Sequence, residues 1–173
     1  MKYDVIVIGG GAAGLFCAGQ AGQRGRSVLL LEQNGRLGRK IAVSGGGRCN
    51  FTNLHSRPDC FLSSNSRFIL SPLSRFTPQD FVQLVEIYKI PYYEKKLGQL
   101  FCTDRSHQIV DMLLSECRKG HVNVQVDCAI QDIQKPLSFR IQTNRGSFES
   151  ESLVIATRTF HSQNRRLGFW IPD

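Results

Sequence analysis

Val5-Ile-Val-Ile-Gly-Gly-Gly-Ala-Ala-Gly14 is the stretch of sequence that decides the fold. A short run of β-branched apolar residues ends in three glycines, and small and apolar residues follow at helical spacing from Ala12 to Gln23. This order predicts a strand, a tight turn and a helix. Gly25 ends the helix, and the nearly continuous apolar run from Ser27 to Leu31 predicts a parallel strand covered on both faces. The pattern is therefore a βαβ unit.

The glycines of this turn fit the spacing G-x-G-x-x-G, which is typical of dinucleotide-binding sites. Gly9 permits the tight turn, Gly11 lets the backbone approach a pyrophosphate, and Gly14 lets helix and strand pack closely. The free N–H groups at the helix N-terminus can donate to phosphate. Glu32 follows the second strand, where an acid accepts hydrogen bonds from ribose hydroxyls. The sequence thus predicts a dinucleotide site rather than a plain glycine turn with a solvated glutamate.

A second glycine cluster, Ser44-Gly-Gly-Gly-Arg-Cys-Asn50, lies in the aperiodic stretch from Asn34 to Asn53. This stretch predicts a long functional loop. Consecutive glycines can form an anion-binding nest or lie against a flat ring, and Arg39, Lys40 and Arg48 could neutralise phosphate charge. Two glycine-rich elements suit a large cofactor with two halves. A flexible loop with solvated cations is the alternative that composition leaves open.

The rest of the chain predicts further helices and short strands. Thr77-Pro78 begins a helix, and Asp104 or Ser106 caps a second helix that ends at Gly120. The expected strands cover Ile90–Tyr93, Gln99–Thr103, Val122–Val126, Ala129–Ile133, Ser138–Thr143, Ser147–Ser150 and Leu153–Ala156. Three of them form a β-meander in place of another crossover helix. We expect the first strand at the middle of a parallel sheet, with Val28–Leu31 and Val122–Val126 beside it.

Length and composition limit the class of protein. The 173 residues suit one domain or one incomplete large domain, and a content of 41% apolar and 21% charged residues indicates a packed core. No apolar run is long enough to cross a bilayer and the N-terminus does not resemble a signal peptide, so we expect a cytoplasmic protein without membrane association. The net charge of +8 would suit a phosphate-bearing cofactor, nucleic acid or an acidic membrane surface. Because the basic residues are spread out, a nucleic-acid partner is not expected.

The cysteines and histidines suggest no chemistry of their own. The six cysteines never form C-x-x-C, and the four histidines show no metal-ligand spacing, so we expect buried or idle thiols and no metal site. Cys49 beside Arg48 is interpreted as a packed thiol rather than an activated one. No acid, base or nucleophile can be assigned. Catalytic residues, substrate and oligomeric state are therefore left open.

Several stretches together resemble the N-terminal part of the YhiN/BaiN-type flavoproteins, also called the aminoacetone oxidase family of FAD-binding enzymes. The stretches are Tyr3 to Gly14, Glu32, Gly38-Arg-Lys-Ile-Ala-Val-Ser-Gly-Gly-Gly-Arg-Cys-Asn-Phe-Thr-Asn53 and Leu153-Val-Ile-Ala-Thr157. The resemblance implies an α/β, Rossmann-like FAD-binding domain of the two-dinucleotide-binding flavoprotein type, with a β-meander crossover. It implies FAD as the cofactor, NAD(P)H as a candidate electron donor, and oxidoreductase chemistry on an unidentified small molecule.

The same resemblance assigns residues to the cofactor. The pyrophosphate would be held by Gly9, Gly11, Ala13 and Gly14, with Ala12 beside them, and the adenosine ribose by Glu32. The flavin half would be held by Arg39, Lys40, Ser44, Gly45 and Gly46. Ile130 would lie near the adenine, and Ala156 and Thr157 would border the cofactor.

The resemblance covers residues 1–157 and stops at Arg158. There the family typically continues Ala-Thr-Gly-Gly-x-Ser-x-Pro-x-x-Gly and enters a substrate domain. Back-translating the chain from Arg158 with permitted codons and reading one nucleotide later gives Gly-Leu-Ser-Ile-Pro-Lys-Ile-Gly, which fits that continuation. We therefore expect residues 1–157 to be the N-terminal part of an incomplete FAD-binding domain and residues 158–173 to be an out-of-frame tail. A truncated remnant that binds FAD weakly or not at all, and a basic binding module, are the alternatives.

Overall fold

The computed structural model describes residues 2–135 and 137–157 and divides into two compact units. Among the described residues, the first unit contains those up to Gly38 and those from Leu113 to Thr157, and the second contains Arg39–Met112. The elements in chain order are β1 (Lys2–Ile8), α1 (Ala12–Gln23), β2 (Val28–Leu31), α2 (Arg39–Val43), β3 (Asn50–Asn53), α3 (Leu70–Arg75), α4 (Pro78–Ile87), β4 (Tyr92–Glu94), β5 (Gln99–Cys102), α5 (His107–Lys119), β6 (Asn123–Gln125), β7 (Ile130–Gln134), β8 (Phe139–Thr143) and β9 (Gly146–Ile155).

A six-stranded sheet, in the order β6-β2-β1-β9-β8-β7, forms the centre of the first unit as far as the structure describes it. β1 pairs in parallel with β2 and with β9, and β2 pairs in parallel with β6. The other pairs, β7 with β8 and β8 with β9, are antiparallel. The predicted Rossmann-like α/β fold with a β-meander is therefore confirmed.

The core of the first unit is made by apolar side chains from the middle of this sheet. Ile6, Ile8, Leu29, Leu31 and Ile141 are all buried and belong to one cluster. All four residues of β2 are buried, as expected for a parallel strand that is covered on both faces. The continuous apolar runs of β1 and β2 are thus explained by burial on both sides of the sheet.

Small residues on α1 let the second half of α5 lie close to it. A Cβ on Gly22 would overlap the carbonyl oxygen of Gly120, and one on Gly19 would lie 3.3 Å from the backbone nitrogen of Cys117. The Gln23 side chain donates hydrogen bonds to the backbone oxygen of Glu116 at 3.1 Å and to its carboxylate at 2.9 Å. These contacts fix the C-terminal half of α1 against α5.

Two strand predictions need correction. Ser147–Ser150 and Leu153–Ala156 are not separate strands, because β9 runs without a break and pairs antiparallel with β8 and then parallel with β1. The strand predicted at Val122–Val126 is β6, and it lies next to β2 rather than next to β1. The position beside β1 is occupied by β9, since the meander brings the chain back into the middle of the sheet.

The predicted loop from Asn34 to Asn53 also needs correction, because it contains regular structure. Arg39–Val43 forms α2, Ser44–Gly47 forms a short 3₁₀ turn, and Asn50–Asn53 forms β3. These elements are short and held by neighbours elsewhere in the second unit, so local periodicity could not reveal them. For example, the amide of Cys102 donates to the carbonyl oxygen of Arg48 at 2.9 Å.

The second unit has its own small sheet, in the order β3-β5-β4, and both strand pairs are antiparallel. α4 begins as predicted at Thr77, whose hydroxyl accepts a hydrogen bond from the amide of Asp80, while the Asp80 carboxylate accepts one from the amide of Thr77. Val82 and Val85 are the buried residues of this helix. The ring of Phe81 lies 6.0 Å from that of Phe51.

Within residues 2–135 and 137–157, no helix is long and apolar enough to span a membrane. The predicted out-of-frame tail, residues 158–173, lies outside the described residues.

Candidate functional site

The turn between β1 and α1 has the geometry that the glycine spacing predicts. Gly9 has a φ of 110°, which a residue with a side chain rarely adopts. A Cβ on Gly14 would overlap the carbonyl oxygen of Gly9, so only glycine lets the helix begin this close to the strand. Two of the three motif glycines are thus required by the backbone itself.

Gly11 differs from its neighbours, because the space beside it is open. A Cβ built on Gly11 would meet no atom within 4 Å, and its φ of −86° is accessible to any residue. Gly11 is the N-cap of α1 and supplies no side-chain cap, and Ala12 and Ala13 in the first turn are exposed. The first N–H groups of α1 therefore face a space in which an anionic group could approach the backbone.

Glu32 is joined to this turn by a hydrogen bond. Its Oε2 accepts from the amide of Gly10 at 2.7 Å, and its Oε1 accepts from the amide and the side chain of Asn34 at 2.9 and 2.6 Å. Oε1 thus uses both of its lone pairs, whereas Oε2 has one left that can accept from a hydroxyl. The acid and the glycine turn, which lie 22 residues apart in sequence, are thus held together as one structural site.

Ala156 and Thr157 also reach the glycine turn. The amide of Ala156 donates to the carbonyl oxygen of Ile8 at 2.8 Å. A Cβ on Gly9 would lie 2.8 Å from the carbonyl oxygen of Ala156 and 3.0 Å from the nitrogen of Thr157. Since Thr157 is exposed and Ala156 is half-buried, the end of β9 forms one border of the open space.

Ile130 is placed at the start of β7 and packs against the core cluster of the first unit. Two residues earlier, the amide of Cys128 donates to the backbone oxygen of Glu32 at 2.9 Å. The segment that leads into β7 therefore contacts the residue predicted to bind ribose. The predicted contact of Ile130 with an adenine stays a prediction.

Sequence reasoning missed a polar network behind Glu32. The amide of Asp127 donates to the carbonyl oxygen of Asn34 at 3.2 Å, and the side chains of Asn144 and Arg145 both donate to the carbonyl oxygen of Asp127 at 3.1 Å. Asp127 has a φ of 51°. This network fixes Asn34, which in turn orients the Glu32 carboxylate. The one signal in the sequence for this network is that Asn and Asp are residues that favour turns.

The second group of predicted residues lies in the second unit. Gly45, Gly46 and Gly47 have φ values of 57°, 68° and 85°, so the left-handed backbone explains why three glycines occur in a row. A Cβ on Gly45 would lie 2.6 Å from the ring of Phe101, whereas Gly46 and Gly47 border open space. The Ser44 hydroxyl donates to the carbonyl oxygen of Ile41 at 2.8 Å.

The cations of this segment are exposed. Arg39 and Lys40 form the first turn of α2 and lie at the surface, as does Arg48, whose guanidinium donates to the Tyr93 hydroxyl at 3.2 Å. Their positive charges lie at the surface of the second unit. The roles assigned to Arg39, Lys40, Ser44, Gly45 and Gly46 stay predictions.

Cys49 has the environment of a packed thiol. It is 5% exposed, and burial raises the pKa of its thiol above the ordinary value. Burial also raises the pKa of Cys102 to about 11, and the neighbouring Cys49 adds to that rise. A nucleophilic cysteine needs a lowered pKa, so both residues are unsuited to that role.

Comparison with known proteins yields a family and several relatives. A family model described as the HI0933-like protein Rossmann domain matches residues 3–162. Two proteins named ribosomal RNA dihydrouridine synthase, from Escherichia coli (strain K12) and Haemophilus influenzae, are 49% and 43% identical over 157 residues, which are 90% and 88% of this chain. In both cases the match covers 39% of the relative, so the chain spans about two fifths of their length.

Among solved structures, the chain resembles a 3-ketosteroid-delta4-(5alpha)-dehydrogenase from Rhodococcus jostii RHA1 with a TM-score of 0.66 and 16% identity. That match covers 89% of this chain and 45% of the other. The likeness supports the fold described above. Together with the family match, it confirms the predicted class of domain, a Rossmann-like α/β domain.

Proposed function

Because the chain belongs to the family of HI0933-like Rossmann domains, we propose that it is the FAD-binding part of a flavin-dependent oxidoreductase. A single arrangement carries the proposal: the glycine turn after β1, the open space beside Gly11 and the carboxylate of Glu32 are held together by one hydrogen bond. FAD, when bound, supplies two-electron redox chemistry, and the protein supplies binding, orientation and electrostatics.

The adenosine and pyrophosphate half of FAD fits the first unit. Gly11 and the exposed first turn of α1 offer backbone N–H groups to the pyrophosphate, and the helix dipole favours its negative charge. Glu32 has acceptor capacity left for the ribose hydroxyls, because Gly10 and Asn34 occupy only part of it. Ile130 is assigned to the adenine, and Ala156 and Thr157 to the border of the cofactor.

We assign the flavin half to the second glycine cluster. Arg39 and Lys40 carry positive charge at the surface, and Gly46 borders open space where a flat ring could contact the backbone. Ser44 and Gly45 hold this turn in place through their contacts with Ile41 and Phe101. These assignments follow the resemblance to the YhiN/BaiN-type flavoproteins, which also motivates NAD(P)H as the electron donor. The cytoplasmic location stays a prediction from the sequence.

The proposed substrate class is a uridine in RNA. Two relatives that are more than 40% identical to the chain are named ribosomal RNA dihydrouridine synthase. Reduction of uracil to dihydrouracil adds a hydride and a proton across the C5–C6 double bond. We assign the hydride to NAD(P)H, which leaves as NAD(P)⁺, and the proton to solvent. The sequence analysis predicts no nucleic-acid partner, and that prediction is untested. The present proposal differs from it, because it names RNA as the substrate. This activity is proposed for a protein of the relatives' full length, which is more than twice the length of this chain.

A titration of the full chain with FAD tests the cofactor assignment. Gly11→Ala should fold normally, since a Cβ there meets nothing within 4 Å, and should change the free energy of unfolding by less than about 1 kcal/mol. The added methyl group projects into the space assigned to the pyrophosphate. We therefore expect FAD affinity, measured by quenching of flavin fluorescence, to fall by about tenfold or more.

Glu32→Gln tests the ribose assignment, and Glu151→Gln is its matched control. Both remove one carboxylate, but Glu151 only pairs with Lys2 at the surface, at 3.2 Å. Glu32→Gln should weaken FAD binding, and Glu151→Gln should leave it unchanged. If the unaltered chain binds neither FAD nor ADP, or if Gly11→Ala binds FAD as well as the unaltered chain does, the proposal is wrong. Sequencing the gene across codon 158 tests the proposed change of frame separately.

A further inference from the structure

The surface around α3 in the second unit combines exposed aromatic rings with arginines. Phe68 is 72% exposed and follows Arg67, which is also exposed. Arg75 and Phe76 form a second such pair at the other end of α3, and Phe76 is 37% exposed. Exposed phenylalanine rings are unfavourable in water, so two Arg-Phe pairs on one short segment require an explanation.

The charge of this surface is positive. Between Leu54 and Gln79 the sequence has three arginines and one acidic residue, Asp59. Asp59 is engaged by Arg57 through two hydrogen bonds of 3.1 and 3.2 Å. Neither Arg67 nor Arg75 takes part in an ion pair within the part of the chain that the structure describes. Both guanidinium groups are thus free to contact an anionic partner.

A groove of about 600 Å³ runs along the same surface. Its walls carry both apolar side chains, such as Leu70 and Leu73, and polar ones, such as Arg57 and Ser71. Phe76 is fixed at the edge of this region by an edge-to-face contact with Phe81, with 6.4 Å between ring centroids. The surface therefore offers at least one aromatic ring that is held in place before any ligand arrives.

We propose that residues 56–76 form a docking surface for single-stranded RNA. Single-stranded nucleic acids are bound by cations that contact phosphates and by aromatic rings on which bases stack, and this surface has both. Arg67 and Arg75 contact the phosphates, and Phe68 and Phe76 stack with bases. The choice of RNA rests on the proposed function, while the surface itself is independent of the FAD site. A protein interface also favours arginine and aromatic residues, so a protein partner is an outcome that the test below distinguishes.

The test is the binding of a fluorescein-labelled 12-nucleotide oligouridine to the full chain, followed by fluorescence anisotropy at several salt concentrations. Removing both arginines, by Arg67→Ala with Arg75→Ala, should weaken binding and make the slope of log K against log salt less negative by about 1.4, since each phosphate contact contributes about 0.7. Phe68→Ala should weaken binding about tenfold and leave the salt slope unchanged.

Matched controls come from the first unit. Arg24→Ala with Arg118→Ala removes two exposed charges, and Leu137→Ala removes an apolar side chain that is 99% exposed. Both controls should bind the oligonucleotide like the unaltered chain. Equal losses in control and test variants would mean general charge attraction and overturn the proposal. A loss of self-association on Phe68→Ala, without any change in RNA binding, would make the surface a protein interface and overturn it as well.

FAD titrations on the same samples separate this proposal from the proposed function. The α3 variants should bind FAD like the unaltered chain, because none of the altered residues is assigned to the cofactor. RNA binding that maps to α3 in a chain without FAD affinity would refute the flavoprotein assignment and support the docking surface. If the chain binds FAD and no α3 variant changes its RNA affinity, the flavoprotein assignment is supported and the docking surface is refuted.

Discussion

Cys102 and Cys117 are buried thiols whose pKa values are higher in the folded protein than the ordinary value for a cysteine. Burial raises the pKa of each to about 11, from an ordinary value of 9.0. An acid with a raised pKa stabilises the fold while it stays protonated, and that contribution is lost as the pH rises from about 9 to about 11. We expect the free energy of unfolding, measured with urea, to fall over this range.

Cys102→Ala together with Cys117→Ala should reduce that fall relative to the unaltered chain. Alkylation at pH 8 provides an independent measurement: the exposed Cys60 should react rapidly, while Cys102 and Cys117 should react only after unfolding. Equal alkylation rates at all three thiols in the folded chain would contradict the burial argument.

At the residue scale, sequence spacing predicted the glycine turn well because its reasons are local. Gly9 needs a left-handed backbone, and Gly14 lies against the Gly9 carbonyl oxygen five residues away. The network of Asn34 and Asp127 behind Glu32 could not be predicted. It depends on Asn144 and Arg145, which lie more than one hundred residues after Asn34 in sequence and are brought next to Asp127 by the meander. No spacing rule predicts a contact of this kind.

At the scale of elements, the start of α4 depends on one reciprocal pair of hydrogen bonds. The Thr77 hydroxyl accepts from the amide of Asp80 at 3.2 Å, and the Asp80 carboxylate accepts from the amide of Thr77 at 2.7 Å. Thr77→Ala should lower the free energy of unfolding by about 1 kcal/mol, because it removes the acceptor of the Asp80 amide at the helix N-terminus. Urea unfolding measures this, and Thr77→Ser, which keeps the hydroxyl, is the control.

The same pair gives a pH dependence of known sign. Hydrogen bonds from Thr77 lower the pKa of Asp80 below 3.8, so its contribution to stability is present above that pH and is lost as the pH falls through the lowered value. Thr77→Ala should weaken this acid dependence. An unchanged acid dependence, or a Thr77→Ser variant as unstable as Thr77→Ala, would mean that the capping pair contributes little.

Elements with a strong local signal were predicted closely, and elements defined by distant partners were not. α1 matches its predicted limits of Ala12 and Gln23, since small and apolar residues at helical spacing follow directly on the glycine turn. α2 and β3 were missed, because short segments of five and four residues carry too little periodicity. β9 was split at Glu151-Ser152 because two polar residues interrupt it, although pairing with β1 and β8 keeps it continuous.

At the scale of the whole molecule, FAD and ADP should protect different parts of the chain from hydrogen exchange. Under the proposed assignments, ADP contacts only the first unit, so it should slow exchange at residues 9–14. FAD should in addition slow exchange at residues 39–47 of the second unit. At a FAD concentration of about 100 times the dissociation constant, the fold should also gain about 2.7 kcal/mol.

Exchange measured by mass spectrometry with either ligand checks this prediction, and residues 130–134 of the edge strand β7 report on the adenine assignment. Identical protection by ADP and FAD would remove the second glycine cluster from the cofactor site. Protection by FAD at residues 39–47 alone would instead refute the role of the first glycine turn.

The pairing of β1 with β9 also governs how the protein emerges from the ribosome. Lys2 lies opposite Glu149 and Ile8 opposite Ile155, so almost 150 further residues must be synthesised after β1 before one of its two edges is covered. At roughly 5–20 residues per second, that wait lasts on the order of 7–30 seconds. Ile6, Val7 and Ile8 form an unpaired apolar edge throughout this time, although each is almost fully buried in the folded protein. We therefore expect the nascent chain to bind chaperones that recognise short apolar segments during translation.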